Sequence, residues 1–247
     1  MLTNHDLVAF VKGMVGQPYW YGTCVYRCTN DLLKRKSQDY PSHYKGDRTS
    51  TYKKHISDKK ICADCVGLIK GFFWTNGGHN VLEAIGNDKN FPNMYTGNGM
   101  PDRSANGILS WCKNEGCKNG KIATMPDVAG LIVHKKGHVG VYVGNGKVVE
   151  ARGFAYGIVE TNLKDRGWTS WSYLPESVLL YKEETPSETV PQPSETFVTY
   201  TVQDGDTLWN ISKRFLGYGV RWAEIANLND LDGTLILIGQ VLKIPRE

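Results

Sequence analysis

The stretch from Glu183 to Thr196, Glu-Glu-Thr-Pro-Ser-Glu-Thr-Val-Pro-Gln-Pro-Ser-Glu-Thr, constrains this chain more than any other segment. It has no apolar periodicity to bury, and its prolines favour an extended, semi-rigid path, so residues 183–197 read as a linker. A chain of 247 residues divided there leaves one full-size domain, 1–182, and one small domain, 198–247. Hydrophobic residues at 40% and charged residues at 22% are enough for both to bury a core. The net charge of +4 is too mild, and the basic residues too scattered, for a nucleic-acid partner. A weakly basic protein is instead drawn to anionic polymers. No segment approaches the ~20 apolar residues a membrane span needs, so no membrane insertion is expected.

Within the first domain, Asn4 is placed to cap a helix carrying Leu7, Val8, Val11 and Met14 on one face, ended by Gly16-Gln17-Pro18. Residues 23–60 are rich in Lys, Ser, Thr and Asp and read as an insertion with one short helix near Thr29 to Lys36. An apolar run from Asp64 to Trp74, stopped at Gly77-Gly78, reads as a buried helix. Leu131-Ile132-Val133, Val139 to Val143 and Lys147 to Ala151 are β-branched runs, and Gly144-Asn145-Gly146 joins the last two as a hairpin. A helix followed by an antiparallel sheet is an α+β layout.

Two residues of this frame suggest nucleophilic chemistry. Cys65, in Asp64-Cys65-Val66-Gly67-Leu68, stands at the start of the buried helix, where the helix dipole favours thiolate. His138 opens the strand His138-Val139-Gly140-Val141-Tyr142-Val143, and a nucleophilic thiol needs such a base within reach. Glu150 sits on the next strand across the hairpin, in reach of His138, where a carboxylate would fix the imidazole tautomer. Arg152 could clamp a substrate carboxylate and the tryptophans of the run Asp165-Arg166-Gly167-Trp168-Thr169-Ser170-Trp171 could line the groove, but these residues read first as packing at the sheet edge. The six cysteines fall at 24, 28, 62, 65, 112 and 117. A single Cys-x2-Cys pair with no paired-His segment gives no metal site, and disulfide connectivity stays open. Cys62 and Cys65 are close enough in sequence for an oxidised pair that would silence a nucleophile.

Four blocks together resemble the NlpC-type cell-wall cysteine peptidases. They are Gly16-Gln17-Pro18-Tyr19-Trp20-Tyr21-Gly22, Asp64 to Leu68, Pro126-Asp127-Val128 and His138 to Gly146. The resemblance covers roughly residues 5–180 and implies a papain-like fold, helix packed on antiparallel sheet. It implies Cys65 as nucleophile, His138 as base, Tyr19 lining the substrate pocket and the Cys65 backbone N–H in an oxyanion hole. Where that family usually has a short loop after the Gly22 block, this chain inserts residues 23–60. Its orienting position is usually His, and Glu150 instead resembles the CHAP-type amidases.

After the linker, Thr199 to Val202 reads as a strand, and Asp206 as the cap of a helix with Leu208, Ile211 and Phe215 on one face. A second helix spans Trp222 to Ala226, and Val241 to Pro245 closes as a strand. This strand-helix-helix-strand (βααβ) unit resembles a LysM module over residues 198–245. The resemblance implies binding of N-acetylglucosamine-containing glycan by Gly205, Asp206, Thr207 and Leu208 together with Ile238 and Gly239. Ile238 stands where the family usually has Pro.

The combined expectation is a peptidoglycan hydrolase that cuts an amide bond of the stem peptide by Cys-His catalysis, without a cofactor. By family habit, γ-D-glutamyl–diamino acid endopeptidase is favoured over N-acetylmuramoyl-L-alanine amidase or an inactive wall-binding protein. Met1 to Asp6 show no basic, apolar leader, so the expectation is a protein held in the cytoplasm until release to the wall, in the manner of a phage-type endolysin.

Overall fold

Thr3, not Asn4, opens the first helix of the computed structural model, which describes residues 1–78, 95–182, 197–203, 205–231, 233–234 and 236–245. Thr3 and Asp6 form a reciprocal capping box at the start of α1 (Asn4–Gly13). Asn4 is buried for another purpose: its amide donates to Ala129 O at 3.0 Å and its carbonyl accepts from Lys182 N at 2.9 Å. It thus ties the helix start to the far end of the same unit. Leu7, Phe10, Val11 and Met14 are buried, whereas Val8 is only half-buried. The contacts divide the chain into two compact units, 1–182 and 183–247, and the expected linker, 183–197, lies almost wholly outside the described residues.

In the first unit, residues 23–60 are not a mostly irregular insertion. They begin with β1 (Cys24–Arg27), which pairs antiparallel with β2 (Ile61–Ala63), and between the two strands run α2 (Asn30–Asp39) and α3 (Thr49–Ser57). Leu32, Tyr44 and Tyr52 supply the buried side. Trp20 meets Tyr52 edge-on at 4.9 Å and donates its indole N–H to His55. The polar composition conceals this because most of the Lys and Asp residues face outward, whereas Lys36 is buried.

α4 (Cys65–Trp74) follows β2 directly, capped by the Asp64 carboxylate, which accepts from Gly67 N at 2.6 Å. Every residue from Val66 to Trp74 is buried, so this is the core helix. Full burial of one Phe such as Phe72 contributes about 1.5–3 kcal/mol. β1 crosses α4 so closely that a Cβ at Gly67 would lie 1.8 Å from Thr23 O, and one at Gly71 2.1 Å from Val25 Cγ2. The two glycines are what let ribbon and helix touch.

Beyond α5 (Ala105–Asn114) come β3 (Asn119–Lys121), β4 (Ile132–Lys135), β5 (His138–Tyr142), β6 (Lys147–Gly153), β7 (Gly157–Asn162) and β8 (Ser170–Ser172). Among the described residues they form a six-stranded antiparallel sheet in the order β3-β8-β4-β5-β6-β7. Gly144-Asn145-Gly146 makes the β5–β6 turn, all three residues at positive φ. One face of the sheet packs on α4, which completes the α+β arrangement.

The second unit is β9 (Phe197–Thr201), α6 (Leu208–Leu216), α7 (Trp222–Leu228) and β10 (Val241–Pro245), with β9 and β10 antiparallel neighbours. Leu208, Ile211, Leu216, Ile225, Leu242 and Ile244 form its core. Thr207, rather than Asp206, caps α6 by accepting from Asn210 N at 3.1 Å. Phe215 is exposed and lies against Tyr200, so Leu216 takes the core position expected for it.

Candidate active site

The start of α4 and the start of β5 meet along one groove of about 570 Å³. Tyr19, Cys65 and His138 all line it. Tyr19 reaches the groove from a bridge with Ala63 of β2, and the insertion adds Tyr26, Lys36 and Tyr40 to the wall.

The Cys65 thiol faces the backbone N–H of Val139, the residue after His138, along with the amides of Val66 and Cys65 itself. These amides favour thiolate but do not prevail. Burial, followed by the charge of Asp64, pushes the Cys65 thiol up to about 12. Burial and the Asp64 charge thus oppose the helix-dipole argument for a thiolate. The same carboxylate that caps α4 occupies the helix end and opposes a second negative charge there. This environment favours the protonated thiol at Cys65.

His138 is held from two sides. Its Nε2 bonds Glu150 Oε2 at 2.6 Å, and its ring stacks on Trp168 at 5.4 Å with the planes 11° apart. With Nε2 engaged as the N–H donor to the carboxylate, Nδ1 is the nitrogen left to serve as base. Glu150 is fully buried and saturated: Arg166 donates through Nε at 2.5 Å and Nη2 at 2.9 Å, and Thr161 Oγ1 donates at 2.8 Å. Burial alone would raise the carboxyl, but the hydrogen bonds from His138, Arg166 and Thr161 outweigh it and hold Glu150 at about 2. The sequence reading missed both Arg166 and Thr161. Period-two alternation along β7 places Thr161 on the Glu150 face, because Glu150 pairs with Val159. No local pattern singles out Arg166.

Cys62 is not presented to Cys65. Its Sγ lies fully buried, 3.4 Å from Tyr26 O and in contact with Cys28. All six thiols are free, and among the described residues no three His, Cys, Asp or Glu side chains converge as metal ligands.

In the second unit the two expected binding loops leave the same end of the β9–β10 ribbon. Gly239 N donates to Val202 O and Val202 N to Gln240 O, both at 2.8 Å. Gly205, Thr207, Ile238 and Gly239 are exposed there, and Ile238 at 70% is the most open of the larger apolar side chains nearby. Asp206 is committed internally, accepting from Tyr200 Oη at 2.6 Å and pairing with Arg214 at 3.0 Å. Leu208 is 1% exposed and belongs to the core, not to a surface.

Comparison with known proteins is sharpest in this second unit: residues 200–245 match the model of the LysM domain. A "Probable N-acetylmuramidase" of Lactococcus lactis subsp. cremoris (strain MG1363) is 54% identical over 44 residues, 18% of this chain and 9% of that protein. A "Probable peptidoglycan endopeptidase LytE" of Bacillus subtilis (strain 168) is 48% identical over 46 residues, 19% of this chain and 13% of that one. The chain thus matches only a small part of these relatives' length. Among solved structures, the peptidoglycan hydrolase RipB of Mycobacterium tuberculosis aligns with a TM-score of 0.38 and 19% identity, over 70% of this chain and 67% of that one. By the family match, residues 200–245 are a LysM domain. No helix among the described residues is long and apolar enough to cross a membrane.

Proposed function

We propose that the chain is a peptidoglycan hydrolase whose first unit cuts an amide bond of the stem peptide and whose LysM domain holds it on the glycan. The observation that carries this reading is the grouping of a groove-facing thiol at a helix start with an imidazole braced by a buried carboxylate, Cys65 with His138 and Glu150. The relatives that carry peptidoglycan-cleaving names are consistent with it, as is the resemblance of the sequence blocks to NlpC-type peptidases.

In this mechanism His138 Nδ1 accepts the Cys65 proton as Sγ attacks the scissile carbonyl, and the Cys65 backbone N–H faces the developing oxyanion. His138 then delivers that proton to the leaving amine. Water, deprotonated by His138, hydrolyses the thioester and restores the thiol. Glu150 keeps the imidazole in its Nε2–H tautomer and favours the imidazolium formed midway. Starting from a neutral thiol makes the proton transfer part of the attack, with no preformed ion pair. Tyr19 lines the substrate side of the groove. The exposed loops around Gly205, Thr207, Ile238 and Gly239 make the sugar-binding lip, so that weak glycan binding raises the local concentration of the first unit on its polymer.

Within this reading a γ-D-glutamyl–diamino acid bond is favoured. Purified peptidoglycan is digested with wild type and Cys65→Ala, and the soluble fragments are weighed and their new termini identified. Fragments ending in γ-glutamate, from wild type only, support the endopeptidase; free N-acetylmuramoyl ends would assign an amidase instead. If both proteins sediment with the wall and neither releases fragments under reducing conditions, the enzyme reading fails and the chain is a wall-binding protein.

A further inference from the structure

Each carboxylate bordering the groove already has partners. Asp64 accepts from Gly67 N and Gly22 N, and Asp102 is bonded to Lys70 at 2.5 Å and to Tyr95 Oη at 2.7 Å. Glu150 is filled by His138, Arg166 and Thr161. Arg152 differs from the other paired groups. It lines the same groove as Cys65 and His138, two residues along β6 from Glu150, yet among the described residues no carboxylate lies within ion-pairing distance of it. Its guanidinium sits over the Tyr156 ring, with Cζ 3.9 Å from the ring centre. A guanidinium held over a ring by its face keeps its edge N–H groups for a two-pronged bond to a planar carboxylate.

We propose that Arg152 is a carboxylate-binding subsite that reads the free α-carboxylate of the residue supplying the scissile carbonyl. The inference rests on the peptide-cleavage reading and narrows it to a substrate class. An α-linked residue spends its α-carboxylate in the bond. A γ-linked acidic residue keeps it, one side chain's length from the carbonyl that Cys65 attacks. A guanidinium in the same groove as the nucleophile, without a carboxylate partner among the described residues, selects γ-linked acyl donors with that carboxylate free and disfavours those in which it is amidated. Arg152 acts here as a specificity residue and takes no part in the proton transfers.

The test uses the full chain and two synthetic tripeptides, Ala-γ-D-Glu-Lys with a free α-carboxylate and the same peptide with an α-carboxamide. Wild type should cleave the carboxylate form with kcat/KM about 10–100-fold higher, the scale of charge-assisted hydrogen bonding. Arg152→Gln should erase the preference by slowing the carboxylate form alone, and Arg152→Lys should retain part of it. Equal cleavage of the two forms by wild type, or an unchanged preference in a folded Arg152→Gln, overturns the proposal. Calorimetric binding of both peptides to Cys65→Ala, with and without Arg152→Gln, keeps the two failures apart. If wild type cleaves neither peptide the endopeptidase reading fails. Binding then decides the subsite alone: an Arg152-dependent preference for the carboxylate supports it, and no preference overturns it.

Discussion

Replacing Arg166 by Met leaves the most heavily used carboxylate of the first unit short of its strongest partner. Arg166 supplies two of the four hydrogen bonds to Glu150, which is fully buried, and its own side chain is only 19% exposed. Removing one member of a buried pair costs about 3–5 kcal/mol. His138 and Thr161 remain as donors, so the lower end applies, about 3 kcal/mol at neutral pH. The pH dependence follows from the same carboxylate. The folded state holds Glu150 at about 2, below its ordinary 4.5, a difference worth about 3 kcal/mol. A depressed carboxyl adds stability above its unfolded pKa and loses it as pH falls through the folded value. In wild type this contribution is complete above about pH 5 and fades toward pH 2. Without Arg166 the Glu150 carboxyl moves back up, and much of that acid-sensitive stability is already missing at neutral pH. The cost of Arg166→Met should therefore be greatest at pH 6–7 and shrink steadily toward pH 2.5. Urea unfolding followed by Trp fluorescence measures it, in a chain carrying Trp209→Phe and Trp222→Phe so that the signal comes from residues 1–182. A cost below about 1 kcal/mol at pH 7, or one that stays constant down to pH 2.5, would refute the argument that Arg166 holds Glu150 ionised.

Other expectations are independent of that one. Because burial and Asp64 push the Cys65 thiol to about 12, its alkylation by iodoacetamide should rise about tenfold per pH unit from 7 to 10; a plateau near neutrality, read by peptide mass spectrometry, would reveal a preformed thiolate. Mild oxidation should join Cys112 to Cys117 and not Cys62 to Cys65. Cys112 lies in the last turn of α5, which closes in a Schellman turn with Cys117 N donating to Cys112 O at 3.0 Å and the two thiols in contact, and disulfide mapping decides between the pairs. Gly67→Ala should destabilise the first unit by several kcal/mol, since its Cβ would lie 1.8 Å from Thr23 O; a melting temperature within about 2 °C of wild type contradicts the close packing of β1 on α4.

The sequence made the α4 start, the β5 start and the Gly144-Asn145-Gly146 turn legible because each is a local signal: a cap, an alternation, a run of residues tolerant of positive φ. Placing Cys65 and His138 needed little more. What escaped is what depends on which distant segment comes to rest where. Arg166 belongs to the connection from β7 to β8, and it meets Glu150 only because that connection folds back over the sheet face. The 23–60 segment holds more structure than the single helix expected near Thr29 to Lys36, for a related reason. Its average composition is polar, but averages hide the few aromatics, Tyr44 and Tyr52, that pack on Trp20. The thiolate expectation is opposed by energetics and not by placement. A helix dipole amounts to about half a charge and is worth about 0.3–1 kcal/mol at a surface, whereas the thiol's shift in the opposite direction is several times larger. The helix start that made Cys65 readable as a nucleophile is thus insufficient to activate it. In the proposed mechanism activation comes from His138, whose position was legible in the sequence, braced by Glu150 and Arg166, whose pairing was not.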